Sequence, residues 1–349
     1  MTVSNVINGK HTGVVGGETV IRVQREVERL GYRPHPIARN LRLARSTTVG
    51  LVIVTADPLI MAAPFIATMV SGVAASLSQS GYNLITETVH PKRFDQAELL
   101  HHSGMAGFVA HLAGVPADRA GYQQSLLAMG LPIVFIQDRS LATLQDCLII
   151  NQDDFKGGVM LAEHVLSYGA RRLLYVRSAV DWPAVLERER GIRSALSGKR
   201  GVELAVARVE DEGIDSTQQI LRAHFRKAGF VPDAILCSND HLAAAALKLV
   251  QAIGRLVPDD VNITGFNNFE YRNFTTPTLT TVQSQVYRMG AEAGIEMTNR
   301  LARGNFSESE KLFPVSLVLG GSTGALRPHA APTVGKPVPT ARKRSVQVP

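Results

Sequence analysis

The sequence is poor in the residues that staple a fold or mark special chemistry. It holds two cysteines and one tryptophan in 349 residues. Two thiols close at most one disulfide, which excludes a disulfide-stapled framework. Cys147 and Cys237 lie in apolar, strand-like runs (DCLII and AILCSN), where buried free thiols are expected. Long hydrophobic runs are missing too: VGLVIV and AAAALKLV fall far short of the ~20 residues a membrane-spanning helix needs. No basic stretch followed by an apolar one opens the chain, so no secretory signal is read and a cytoplasmic location is expected. There is no GxSxG, HExxH, Walker A or GxGxxG string. The glycine-rich GVVGGET at 13–19 is not a P-loop, because no Lys-Ser/Thr follows at the right place and no strand precedes it. His101 and His102, on a helical stretch, and His111, read as a loop histidine, lack partners at metal-ligand spacing. Neither enzymatic activity, nor a cofactor, nor a metal site is expected.

What is present is an ordinary globular composition, 45% hydrophobic and 19% charged, in a chain long enough for two or three compact units. The net charge of +7 is unevenly spread. Residues 1–45 carry eight basic residues against three acidic ones, and 328–349 carry four basic residues and no acid. The long middle is therefore near neutral. A concentrated basic segment suits a polyanion such as DNA, or else forms a solvated face.

Three regimes follow one another. In TVSNVIN, Val3, Val6 and Ile7 share one face at helical spacing, with Ser4, Asn5 and Asn8 opposite. Val20, Val23, Val27 and Leu30 predict a second helix over 18–30, ending at Gly31. Pro34 and Pro36 force an extended link, after which PIARNLRL reads as a short helix with Ile37 and Leu41 on one face. From Thr48 to about Leu326, strand-length apolar runs alternate with helical stretches at 64–80, 95–103, 119–129, 155–168, 184–197, 216–228 and 240–253. That alternation predicts an α/β architecture with parallel sheets, and nine or more strands predict two Rossmann-like subdomains. Gln145-Asp146 and Thr280–Gln283 are the expected crossovers. The late helix 287–303 would return to the first lobe, and KLFPVSLVLG to the second. Such a clamshell takes a small molecule at the carboxyl ends of its strands. The segment 328–349, rich in Pro, Ala, Thr and basic residues, is expected to be a disordered basic tail.

Several motifs are specific in order and spacing. TVSNVINGK is followed by VERLGYRPHPIARNLR and STTVGLVI, then by PFIATMVSGV, RERGIRSAL, CSNDHLAAAALKLVQAIG, VPDDVNITGFNN and TPTLTTVQ. Together they resemble the lactose-repressor (LacI/GalR) family of bacterial transcription factors over roughly residues 1–326. The resemblance implies a partial helix-turn-helix DNA-binding head with a hinge helix at 1–45. A two-lobed, periplasmic-binding-protein-like (type I) core would follow at 46–327. Lobe one would span about 47–149 and 281–311, and lobe two about 150–280 and 312–327.

In that family TVSNVIN would be the recognition helix, with Thr2, Ser4, Asn5 and Asn8 facing bases or phosphates and Tyr32 a further DNA contact. Asn5 stands where the family usually has Arg, so a different or weaker base preference is expected. PIARNLR matches the hinge helix: Leu41 would wedge into a minor-groove base step, and Arg39, Arg42 and Arg45 would contact phosphates. The family carries a first helix and turn ahead of TVSNVIN that this sequence does not show. Two readings stay open: a start lying upstream, or a sensor that has lost specific DNA reading. The sequence as written is expected to bind DNA weakly and with strong salt dependence.

For the core, the resemblance makes Arg188 of RERG an effector contact. Asn239, Asp240, Asn267, Gln152, Gln137 and Asp138 are candidates at strand ends, and Phe65 is a candidate to stack on a sugar ring. Asn267 and Gln152 stand where Asp is usual. Trp182 either lines the cleft or anchors an exposed loop. The insert TADPLIMAAPF resembles that of sugar-sensing members, with purines left open. The expected partners are a double-stranded DNA operator, a small effector (a sugar or sugar derivative) and a second copy in a homodimer. The implied function is a repressor whose operator affinity the effector controls.

Overall fold

The computed structural model describes residues 6, 15–30, 46–102, 104–138, 146–210, 212–226 and 232–327. The chain divides into two compact units, Met1–Thr47 and Thr48–Pro349. In the first, helix α1 spans Gly17–Arg29, close to the expected 18–30. Gly16 caps it in an extended conformation without a side-chain bond. Val20, Val23 and Val27 are half-buried, as their spacing predicts, whereas Ile21 and Leu30 are exposed. The expected DNA contacts Thr2, Ser4, Asn5, Asn8, Tyr32, Arg39, Leu41 and Arg42 lie outside the described residues, as do the hinge helix and the basic tail.

The second unit is built from two parallel sheets. The first contains β1 (Thr48–Val54), β2 (Asn83–Val89), β3 (Gly107–Leu112), β4 (Ile133–Ile136), β5 (Cys147–Gln152) and β11 (Glu310–Phe313). Their order is β11-β5-β4-β3-β1-β2, with every pair parallel. Strand β1 shows why a continuous apolar run is needed: its side chains alternate between two covered faces. Val49, Leu51 and Ile53 pack with Met69, Val73 and Leu77 of α2 (Pro64–Gln79) and Met289, Ala293 and Met297 of α9 (Val286–Arg303). Val52 and Val54 face Phe108, Leu112 and Leu126 on the other side. Leu126 belongs to α4 (Pro116–Leu127), which starts earlier than the expected 119 because Pro116 is tolerated in its first turn. The stretch expected at 95–103 breaks into a 3-10 turn, Pro91–Gln96, and the short α3, Glu98–His101. Glu87 of β2 caps α3 by accepting from the backbone N–H groups of Glu98 and Leu99 at 3.0 and 2.8 Å.

The second sheet has the order β7-β6-β8-β9, from β6 (Arg172–Ser178), β7 (Glu203–Val209), β8 (Ala234–Cys237) and β9 (Asn262–Thr264). Helices α5 (Asp154–Ser167), α6 (Pro183–Leu196), α7 (Ile214–Arg226) and α8 (Asp240–Ala252) accompany it. Two capping side chains fix where helices start: Asp153 accepts from Lys156 N–H at 3.0 Å, and Asn239 from Leu242 N–H at 2.9 Å. Cys147 and Cys237 are buried free thiols.

The crossovers differ from the expected ones. Gln145-Asp146 precedes β5, which stays in the first sheet, so the chain leaves that lobe only at Asp153. Thr281–Gln283 is a strand, β10, that pairs antiparallel with β12 (Ser316–Val318) and bridges to the end of β9. The return to lobe one therefore falls at Ser284-Gln285. KLFPVSLVLG divides, with β11 closing the first sheet and β12 joining β10. The lobe borders thus fall a few residues later than 149, 281 and 311. The physical reason is strand pairing: the runs CLII and KLF satisfy their backbone groups by extending the first sheet, and pattern alone does not say which sheet an apolar run will extend.

Candidate functional site in the interlobe cleft

Strand ends from both sheets, with the turns that follow them, converge between the lobes. Arg188 projects from α6 because α5 and α6 touch backbone to backbone. A Cβ on Gly158 would lie 2.1 Å from the Arg188 carbonyl oxygen, and one on Gly191 would lie 2.0 Å from that of Phe155. At this contact Arg188 donates Nε–H to Asp154 Oδ1 at 2.7 Å and Nη1–H to the Ser238 carbonyl. Its guanidinium carbon lies 3.6 Å from the Phe266 ring centroid. Asp154 also accepts from Gln152 Nε2 at 2.9 Å and Gln137 Nε2 at 3.4 Å. Burial pushes the Asp154 carboxyl up, and the Arg188 charge and the hydrogen bonds from Arg188 and Gln152 pull it back. Arg188, Gln152 and Gln137 are therefore brought together around a carboxylate that sequence reasoning missed. In the DD pair at 153–154, Asp153 caps the helix and Asp154 turns inward.

A second buried pair sits beside it. Arg119 donates to Asp138 Oδ1 at 3.1 Å and to the Gly114 carbonyl at 2.6 Å. Asp138 is thus engaged by a neighbouring guanidinium. Three further candidates, Asn239, Asp240 and Asn267, form hydrogen bonds around lobe two. Asn239 caps α8 and donates to Glu212 at 2.7 Å. Asn267, at φ 101°, accepts from Ser284 Oγ at 2.9 Å. Asp240 is fully buried and accepts from Thr281 Oγ1 and from Phe269 N–H. These bonds brace the loop after β9.

The Asp240 carboxyl carries a testable pH signature. Burial pushes its pKa up to about 6 against the opposing hydrogen bonds. A carboxyl raised in the folded state contributes stability below its unfolded pKa, and that contribution is lost as pH rises toward about 6. Between pH 4 and pH 7 the wild type is expected to lose about 2–3 kcal/mol relative to Asp240→Asn. Urea unfolding at both pH values checks this; equal pH dependence in the two proteins would contradict it.

Three rings span the lobes. Phe65, in the first turn of α2, lies 5.8 Å from the His111 ring at 28°. His111 stacks on Trp182 at 4.6 Å and 13°. His111 is not a loop residue, as the sequence suggested, but a buried member of β3. Burial holds its pKa down to about 4, against a hydrogen bond to the Ile136 carbonyl at 2.9 Å. Trp182 caps α6 and packs on the first lobe's core, so of its two expected places it takes the cleft. Buried Arg177 holds the turn before it by donating to Asp181 at 3.1 Å. Gly114 N–H also reaches across to the Asp181 carbonyl at 3.3 Å.

Gln152 Oε1, at the end of β5, and Ser238 Oγ, just after β8, are fully buried without a hydrogen-bond partner. They flank the Arg188–Asp154 pair from opposite lobes. Among the described residues no group of three or more His, Cys, Asp or Glu side chains is placed to hold a metal ion, and no helix is long and apolar enough to cross a membrane.

Two parallel α/β lobes with unsatisfied polar groups at their facing strand ends define a small-molecule-binding core of the periplasmic-binding-protein type. A family model for a periplasmic binding protein-like domain matches residues 162–323. The HTH-type transcriptional regulator CelR of Thermobifida fusca is 30% identical over 327 residues, covering 91% of each chain. A solved complex of the transcriptional regulator CelR with cellobiose superposes with a TM-score of 0.66 at 25% identity, over 91% of this chain and 94% of that one. The lac repressor dimer bound to operator and an anti-inducer shares the fold, with a TM-score of 0.75 at 20% identity over 92% and 94% of the two chains. The chain belongs to the LacI family of transcriptional regulators.

Proposed function

We propose that this protein is a cytoplasmic, homodimeric repressor whose affinity for operator DNA is set by a small, uncharged, sugar-like effector bound between the core lobes. The observation that carries the effector reading is the pair of buried, unpartnered atoms, Gln152 Oε1 and Ser238 Oγ, beside an ion pair that neutralises itself. A buried polar atom without a partner costs about 1–3 kcal/mol, and a ligand hydroxyl relieves that cost. The charges nearby are matched: Arg188 with Asp154, and Arg119 with Asp138. A phosphate or carboxylate ligand would meet charges that are already matched. Similarity to a cellobiose-bound regulator supports a saccharide. DNA contacts by Thr2, Ser4, Asn5, Asn8, Tyr32, Arg39, Leu41 and Arg42, and a dimer formed mostly by the core, remain part of this proposal.

A thermal-denaturation screen tests it. Neutral saccharides at 100 times their dissociation constant are expected to add ~2.7 kcal/mol. Stabilisation by purines or sugar phosphates, with none by neutral saccharides, would overturn the effector assignment. Sedimentation of the full chain showing only monomer at micromolar concentration would overturn the dimer.

A further inference from the structure

The hydrogen bonds around the cleft fix which of its groups give and which accept. His111 is 3% exposed, and its Nδ1 lies 2.9 Å from the Ile136 carbonyl oxygen. A carbonyl only accepts, so Nδ1 carries the ring's proton. Nε2 is then a lone-pair acceptor, and it has no hydrogen-bond partner among the described residues. With the pKa held at about 4, the ring does not gain a second proton near neutral pH. Gln152 is fixed in the same sense. Its Nε2 faces the Asp154 carboxylate at 2.9 Å, which leaves Oε1 as a buried acceptor without a partner. Neither group can turn over to become a donor without breaking the bond that holds it.

The register puts both acceptors on one face of the first sheet. Ala110 pairs with Phe135 and Ile136 with Ile150, so His111 lies beside Ile136, and Gln152 is two residues beyond Ile150. Strands β3 and β5 are two apart, about 10 Å at the usual strand spacing. Trp182, stacked on His111, covers that ring from the second lobe.

We propose that His111 and Gln152 are the specificity-determining residues of the cleft: they select an effector that donates hydroxyl hydrogens to both acceptors, a saccharide of at least pyranose size, and reject molecules that offer only acceptors there. This rests on the effector reading above and narrows it, because a phosphate or carboxylate group facing these two atoms would set lone pair against lone pair.

The test uses the full chain and calorimetry with cellobiose, glucose, ribose, glucose 6-phosphate and hypoxanthine, and it follows the emission of Trp182, the single tryptophan. Cellobiose or glucose is expected to bind and to change that emission. His111→Phe keeps a ring under Trp182 but removes the acceptor, and should weaken binding at least about tenfold, the cost of one good hydrogen bond. Gln152→Met should do the same. His111→Gln restores an acceptor and should recover most of the affinity. If His111→Phe does not melt cooperatively, Gln152→Met and His111→Gln carry the comparison. Equal saccharide affinity in wild type, His111→Phe and Gln152→Met would overturn this inference while leaving a sugar effector in place. Binding of glucose 6-phosphate or hypoxanthine alone, or of none of the probes, would overturn both.

Discussion

Replacing Arg188 with alanine is expected to destabilise the core by about 3–5 kcal/mol and to abolish effector binding. The reason lies in what stays behind. Both partners of the Arg188–Asp154 pair are about 5% exposed at the side chain. Removing the guanidinium leaves a buried carboxylate with only amide donors, and strands the Ser238 carbonyl as well. The stacking on Phe266 is lost too. The double variant Arg188→Met with Asp154→Leu removes both charges, so it should be clearly more stable than Arg188→Ala, though still unable to bind effector. Urea denaturation measures the first result and calorimetry the second. A double variant no more stable than the single one would mean that the penalty does not come from the stranded charge.

Gly158→Val should rank next, at about 3 kcal/mol. A Cβ there meets the Arg188 carbonyl oxygen at 2.1 Å and its carbonyl carbon at 2.9 Å. These are backbone atoms, which cannot rotate away, so α5 and α6 must separate. Because the obstructed residue is Arg188 itself, the substitution should also weaken effector binding. Gly81→Val makes a useful contrast: a Cβ there meets nothing within 4 Å, but its φ of +77° makes the cost one of backbone strain alone. Effector affinity should survive Gly81→Val and fall in Gly158→Val. Melting curves and calorimetry on the two proteins separate these effects.

Much of the architecture was legible because burial imposes a period. The helices of the second unit begin and end within a few residues of their expected limits where proline or an Asn/Asp cap marks the start, as at Pro64, Asp153 and Asn239. What pattern could not convey was which sheet an apolar run joins, since CLII and KLF read the same whichever lobe they extend. The site was legible only in outline. Arg188, Gln137 and Gln152 do come together, but their shared partner Asp154 precedes Arg188 by 34 residues, and no spacing rule links them. The bracing role of Asp240 was not legible, because its partner, the Thr281 hydroxyl, lies 41 residues away. His111 falls inside the strand-length run GFVAHLA, and the structure places it in β3 and not in a loop. Its register beside Ile136 makes it part of the sheet, and the carbonyl there fixes its proton.

The most direct test of an effector-controlled DNA switch is fluorescence anisotropy of the full chain on operator DNA, with and without a saturating neutral saccharide found by the screen. Coupling between two sites is typically 1–3 kcal/mol, so operator affinity is expected to move by about 5–150-fold, and not at all in Arg188→Ala. Operator affinity unchanged by a saccharide that demonstrably binds the wild-type core, or shifted equally in Arg188→Ala, would contradict it.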